Sequence, residues 1–412
     1  MLNPKTELRE LAYLAKVTDI IPIDGADKVE IAMVQGWSCV VKKDEFKVGD
    51  IGIFFEADSR VPAREPFMFL ESKHFKIKVQ KFFKGTVLSN GLLLPISAFE
   101  ETYEFQKIVG KEAILSKDGK EYNLNDETRF LTDVLEIKYA SEEDNKRKAK
   151  SPNLKKVFAK KHPKFAKTRF GKYCIKNDFL FRLILNLIKD EKEKNKFPYW
   201  VKKTDEERIE NMLWVLKDKE TKWIPTEKID GTSVTFTIKR KGFKRFEYLV
   251  CSRNVAFRKE TDKCFYKNNY YLEISEKYQM EKKMKEIMNN FKSFNFVTIQ
   301  GEIYGEGIQK RNYSLKGQEL AIFNVIFGWK SGTTTRLNPI EMRDFLNKYN
   351  LRTVPILKNT YILPDSLEEL REYINSEGSK IDGRIREGIV FRSENGKRSF
   401  KCVSPEYLIK YH

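Results

Sequence analysis

Between Leu11 and Ile96 apolar and polar residues alternate in short runs, AYLAKVTDII, KVEIAMVQGWSCVV and DIGIFFEA, broken by turns at Asp24-Gly25 and Val48-Gly49-Asp50. A period of two sends successive side chains to opposite faces, so this spacing predicts a series of short half-buried strands. Strands this short and this closely spaced predict a small β-barrel, and a five-stranded OB-like barrel suits the length. Within it KHFKIKVQKFFKG, from Lys73 to Gly85, alternates Lys with Phe, Ile and Val and predicts a strand with cations on one face. That face reads either as a nucleic-acid surface or as the solvated side of an ordinary strand.

The alternation stops at about Glu142. From there to Lys196 the chain is dense in Lys and Arg with a few aromatics, as in KRKAKSPNLKKVFAKKHPKFAKTRFGKY. Such a stretch is either a basic arm that tracks phosphates or a solvated connector. FLFRLILNLIKDEKEK, from Phe179, reads as an amphipathic helix, and TDEERIENMLWVLKD, from Thr204, as a second one opened by the capping pattern Thr204-Asp205-Glu206-Glu207. Alternating segments return from Trp223, interrupted by expected helices around Glu276–Asn290 and Pro339–Tyr349, which makes this part α+β. The expected organisation is an OB-like domain over 1–140, a basic linker or helical arm over 141–195, and a catalytic domain of antiparallel sheets over 196–412.

Composition narrows the partner. The 412 residues carry a formal net charge of +19 with 41% hydrophobic and 33% charged residues, which predicts a soluble protein that binds a polyanion, although biased codon usage also inflates Lys. No apolar run reaches the roughly 18 residues that span a bilayer, and the start lacks a leader pattern, so an intracellular protein, cytoplasmic or nuclear, is expected without a membrane partner. The five cysteines are scattered, with no CxxC pair and three histidines in the chain, which argues against a disulfide framework, a zinc site or a Cys–His nucleophile.

The chemistry starts in TEKIDGTSVTFTI, where Lys228 precedes an Asp230-Gly231 turn that feeds an alternating strand. K-x-D-G alone is also a plain hairpin turn. Downstream follow Ser252-Arg253-Asn254, IQGEIYGEGIQ with Glu302, LAIFNVIFG with Phe323, REGIVFR with Glu387 and SFKCVSPEYL with Lys401. This ordered series resembles the covalent nucleotidyltransferases, the ATP-dependent ligases and mRNA capping enzymes, whose catalytic domains have an ATP-grasp-like fold. A lysine that attacks a phosphorus must be neutral, yet its ordinary pKa is about 10.4. Partial burial and a second cation lower it, and Lys401 and a divalent metal are the candidates.

The resemblance implies the remaining roles. Lys228 carries AMP from ATP, Glu227 and Gly231 flank the nucleotide, and Arg253 contacts phosphate. Glu302 binds ribose, Phe323 stacks on adenine, and Asp230, Glu302 and Glu387 hold Mg²⁺ or Mn²⁺. Arg208 is a further phosphate-contact candidate. One position departs: related ligases often carry two lysines separated by one residue in the last motif, and here Ser399 stands at the first, with Lys397 or Arg398 as possible substitutes.

DNA ligases and capping enzymes usually place an OB domain after the final lysine, and residues 402–412 are too few for one. VQGWSCVVKKDEFKVGDIGIFFEADSRVP with LSNGLLLPIS resembles instead the N-terminal module of nick-sealing RNA ligases. The expected activity is ATP-dependent sealing of 3′-hydroxyl and 5′-phosphate ends in RNA, with a nicked RNA duplex as partner and a monomeric enzyme. A capping-type guanylyltransferase, a DNA ligase and a non-catalytic nucleic-acid-binding protein are the rivals.

Overall fold

The first hundred residues form strands where they alternate: β1 (Ala12–Pro22), β2 (Val29–Val34), β3 (Trp37–Lys42), β4 (Ile51–Glu56) and β5 (Gly91–Pro95). They make one antiparallel sheet in the order β3-β2-β1-β4-β5. Its ends meet: the Asn90 N–H donates to the Ser38 carbonyl at 2.8 Å, and the Ser38 hydroxyl donates to the Leu88 carbonyl at 2.7 Å. The result is a nearly closed OB barrel, with Tyr13, Val17, Val34, Val41 and Phe54 inside it. The alternate face is buried as well, because Leu14, Ile53 and Phe55 pack on Phe67, Phe99, Leu131 and Leu135.

The computed structural model describes the chain apart from residues 7, 84–85, 108–113, 126–127, 141–164, 167, 178–179, 182–196, 204, 243–244, 258–265, 267 and 412. Most of the expected basic arm and of the helix from Phe179 lies outside the described residues. The chain divides into two units, Met1–Lys161 with Ile209–Val215, and His162–Arg208 with Leu216–His412. Among the described residues no helix is long and apolar enough to cross a membrane.

Two sequence expectations fail locally. The strand expected over Lys73–Gly85 is a strand only at Gln80–Phe82; Lys73 ends a 3₁₀ helix, and His74 and Phe75 take left-handed backbone with φ of 54° and 55°. Burial of Phe67, Leu70 and Ile77 in one cluster outweighs the period-two pattern there. The helix expected over Thr204–Asp218 is instead β6 (Glu207–Arg208) followed by 3₁₀ turns at Ile209–Asn211 and Leu213–Lys217.

In the second unit a six-stranded antiparallel sheet is built from β8 (Thr232–Arg240), β9 (Phe246–Cys251), β10 (Ala256–Phe257), β11 (Phe294–Gly305), β12 (Gln318–Trp329) and β13 (Thr334–Arg336), in the order β10-β9-β8-β11-β12-β13. Helices α1 (Tyr270–Lys277), α2 (Met280–Asn290) and α3 (Pro339–Asn347) cover one face through Met284, Ile287, Met342 and Leu346 against Phe236, Val297 and Ile299. The opposite face carries buried polar groups, Thr235, Thr237, Thr298, Gln300 and Asn324. A four-stranded sheet, β6-β15-β14-β7, contains β7 (Trp223–Lys228), β14 (Gly388–Ser393) and β15 (Ser399–Val403), with β6 parallel to β15. Two further helices, α4 (Leu367–Asn375) and α5 (Pro405–Tyr411), were not expected from the sequence.

Candidate active site

β7 and β14 run antiparallel with Lys228 opposite Gly388, which brings Glu387 beside the lysine. The Lys228 ammonium donates to Glu387 Oε1 at 2.7 Å, with the lysine side chain 27% exposed and the glutamate 9%. Glu302, on β11 opposite Ser233, reaches the same pocket, as do Phe323 from β12, Arg253 and Lys401. At Gly231 an added Cβ would meet the Ile303 carbonyl at 2.3 Å, so glycine lets the turn after Lys228 lie against β11.

Electrostatics in the pocket run against the expected depression of the lysine. Burial would lower the Lys228 pKa, but Glu387, Glu302 and Asp230 outweigh it and hold the ammonium above the ordinary lysine value. Lys401, the expected second cation, donates its ammonium to Asp205 Oδ1 at 3.0 Å. The same carboxylate accepts from Arg253 Nη2 at 2.6 Å through Oδ2, so one exposed aspartate bridges Arg253 and Lys401. Burial, with Glu387 and Asp230 adding to it against Lys228 and Arg253, pushes the Glu302 carboxyl up to about 8.

The three expected metal ligands are not brought together. Among the described residues no three Asp, Glu, His or Cys side chains are gathered closely enough to hold an ion. The reason is Asp230, whose carboxylate accepts from the Tyr407 hydroxyl of α5 at 2.7 Å and whose N–H donates to Tyr313 at 2.7 Å. Glu302 and Glu387 remain on the lysine. Glu387 Oε2 is buried without a hydrogen-bond partner, which suits a hard cation beside it.

Two nucleotide-contact expectations change in form. The buried Glu227 carboxylate accepts from the Ser379 hydroxyl and, at 2.8 Å, from the Lys380 N–H, so its side chain ties β7 to the loop after α4. Arg208 stands in β6 opposite Lys401 and does not line the pocket. Sequence reasoning placed Asp205 and Glu206 only in a helix-capping pattern and gave Arg336 and Arg392 no role. Glu206 accepts from Arg336 Nη2 at 2.7 Å and Arg392 Nη2 at 3.1 Å, and from the Ser399 hydroxyl. Arg392 Nη1 also donates to the Phe323 carbonyl at 2.8 Å. A single arginine ending the apolar run IVFR was the available signal, since a buried charge demands a partner.

A family model described as RNA ligase matches residues 221–412. Over that stretch the chain is similar to RNA ligases. An OB-fold domain model matches residues 11–96, the barrel of the first unit. The chain resembles solved structures along its whole length. A Naegleria gruberi RNA ligase mutant with ATP and Mn is 26% identical, covering 98% of this chain and 99% of that one at a TM-score of 0.58. Another mutant of that protein, with AMP and Mn, is 27% identical at the same coverage and TM-score. The Naegleria ligase with PPi is 26% identical, again over 98% and 99% at 0.58. No curated protein matches the chain.

Proposed function

We propose that this RNA ligase seals 3′-hydroxyl and 5′-phosphate ends, at nicks in duplex RNA or RNA-containing hybrids, through AMP carried on Lys228. The observation that carries the reading is a lysine at the end of β7, paired with Glu387 in a pocket that also holds Glu302, Phe323, Arg253 and Lys401. Lys228 Nζ, once deprotonated, attacks the α-phosphorus of ATP; the N–P bond forms as the bond to pyrophosphate breaks. An oxygen of the RNA 5′-phosphate then attacks the same phosphorus, the N–P bond breaks, and AMP passes to the RNA end. Finally the 3′-hydroxyl loses its proton, attacks the activated 5′-phosphorus and releases AMP. Each step is governed by positioning and charge neutralisation.

Phe323 stacks on adenine, Glu302 holds ribose, and Arg253 and Lys401 take the phosphates once these displace Asp205. Arg208 acts from behind Lys401, and Glu227 serves through its backbone. Glu302 and Glu387 are the ligands for Mg²⁺ or Mn²⁺, which when bound neutralises phosphate charge and offsets the carboxylates that keep Lys228 protonated. The Naegleria structures with ATP, AMP and Mn support this choice of nucleotide and metal. In the proposed division of labour residues 1–140 and the arm at 141–195 grip RNA, residues 196–412 do the chemistry, and a monomer suffices.

The test is incubation with ATP labelled at the α-phosphate and Mg²⁺ or Mn²⁺, then a denaturing gel, with Lys228→Ala alongside. Label on the parent protein and none on the variant is expected. Absence of label on both, with an active control ligase, would remove the covalent mechanism. Nicked duplexes whose 3′ strand ends in RNA or in DNA, with labelled GTP as a control, separate the RNA-sealing activity from its rivals.

A further inference from the structure

Residues 197–203 cross the polar face of the six-stranded sheet on their way to the pocket. On β8 the residues Ser233, Thr235, Thr237 and Lys239 belong to that face, while Val234, Phe236 and Ile238 enter the core. Ser233 lines the pocket, and a rise of about 3.3 Å per residue puts Lys239 about 20 Å from it along the strand. The covering segment is tied down at successive points. Trp200 Nε1 donates to the Thr237 hydroxyl at 3.3 Å, the Gln300 amide donates to the Lys202 carbonyl at 3.1 Å, and the Lys203 ammonium donates to Asn254 Oδ1 at 2.6 Å. Gln300 stands opposite Thr235, so the segment runs from the Lys239 end of β8 towards its pocket end, where Asp205 meets Arg253.

At the far end of this segment Tyr199 is 87% exposed. A single exposed aromatic needs no explanation by itself, but this ring is held in place. It stands edge-on to Trp200 with centroids 5.2 Å apart, and Lys239 Nζ donates to its hydroxyl at 3.2 Å. The same ammonium lies 5.0 Å from the Tyr199 ring centroid and 4.5 Å from that of Trp200. Towards the pocket follow exposed Lys202, Lys203 and Arg253. The carboxylates beside this row already have cations: Glu247, opposite Lys239 on β9, pairs with Lys241 at 3.0 Å, and Asp205 bridges Arg253 and Lys401. A fixed ring in water followed by a row of cations suits a nucleic-acid strand, whose bases stack and whose phosphates seek positive charge.

We propose that residues 197–203, with Lys239 and Arg253, form an RNA track on the catalytic unit, in which a base stacks on Tyr199 and the backbone passes Lys202 and Lys203 to reach the pocket at Arg253. The proposal rests on the RNA-sealing reading and adds a contact surface inside the part of the chain that does the chemistry. β8 gives the track its precision. The strand carries Ser233 at the pocket and Lys239 under Tyr199, so the stacked base and the reacting end are held by one rigid element.

The test measures Kd for a fluorescein-labelled nicked RNA duplex by anisotropy at several salt concentrations, without ATP, in the full chain. The variants are Tyr199→Ala, Tyr199→Phe and the double variant Lys202→Gln with Lys203→Gln, each with a melting curve and the Lys228 labelling assay alongside. Tyr199→Ala is expected to weaken binding about tenfold with an unchanged salt slope, the loss of one stacked base, and Tyr199→Phe to stay within about threefold of the parent. The lysine double variant should flatten the dependence of log Kd on log salt by about one to two, the release of fewer counterions. All should label Lys228 within about twofold of the parent, since the track serves RNA and not ATP. A folded Tyr199→Ala that binds within about twofold of the parent overturns the proposal, as does a lysine double variant with the parent's slope. Tyr199→Phe as weak as Tyr199→Ala, or labelling that falls as far as binding does, assigns these residues a structural role and overturns it as well. A parent chain that shows these binding effects but takes no label removes the ligase reading and leaves the track standing, so the two failures are distinct.

Discussion

Asp205 sits between Arg253 and Lys401 as a carboxylate where the proposed cycle needs phosphate, with contacts of 2.6 and 3.0 Å. Entry of the triphosphate then exchanges one anion for another, and both cations are already in place when it arrives. Asp205→Asn should lower half-saturating ATP in the labelling assay by roughly threefold to tenfold, as loss of an exposed ion-pair partner allows. A rise instead would mean that Asp205 orients the two cations more than it competes. Glu206 offers a stability test at the same scale. Its folded pKa of about 2 lies below the 4.5 of an unperturbed glutamate, so its ionised form stabilises the fold fully above about pH 4.5 and that contribution disappears as pH falls through 2. The linked contribution is of the order of 3 kcal/mol. Glu206→Gln should melt lower at neutral pH and show a flatter decline between pH 4.5 and 2 in circular dichroism melts. An unchanged acid limb would deny the carboxylate its role.

At the scale of elements the reactive lysine is placed by strand register. β7 ends at Lys228, β14 begins opposite it, and the turn through Asp230 and Gly231 that leads from β7 into β8 folds onto β11 with no room for a side chain at Gly231. Gly231→Ala should therefore cost about 1–3 kcal/mol as the turn or β11 shifts. Because the shift moves Lys228 against Glu302, labelling should fall more than stability accounts for at a temperature where the variant is folded. A variant that melts lower yet labels at the parent rate would show that the turn tolerates displacement. The failed helix at Thr204–Asp218 belongs to this scale too. Its local pattern was amphipathic, but Arg208 pairs its backbone with Lys401 on β15, and Asp205 and Glu206 give their carboxylates to cations contributed by distant strands. Tertiary partners outweighed a helix whose propensity was modest.

For the whole molecule, the separation into an OB-containing unit and a catalytic unit predicts separable steps. Removal of Met1–Lys161 should leave Lys228 labelling within about threefold while sealing of a nicked duplex falls by more than about tenfold, because RNA loses one of its two proposed grips. Equal loss of both activities would mean that the first unit, which includes Ile209–Val215, is needed for the second to fold. The sequence by itself determined the strands of the barrel, both long helices under the six-stranded sheet, and the ordered series from Lys228 to Lys401. Those signals are local: period-two alternation, helical periodicity, and residue types at short spacing. Only the tertiary structure decided that Asp230 turns to Tyr407, that Lys228 is held protonated by carboxylates, and that Lys401 answers to Asp205. It alone assembled Glu206, Arg336, Arg392 and Ser399 into one cluster. The physical reason is that charges act through space over a few ångströms, and which charges become neighbours is set by sheet register and packing between strands far apart in the chain.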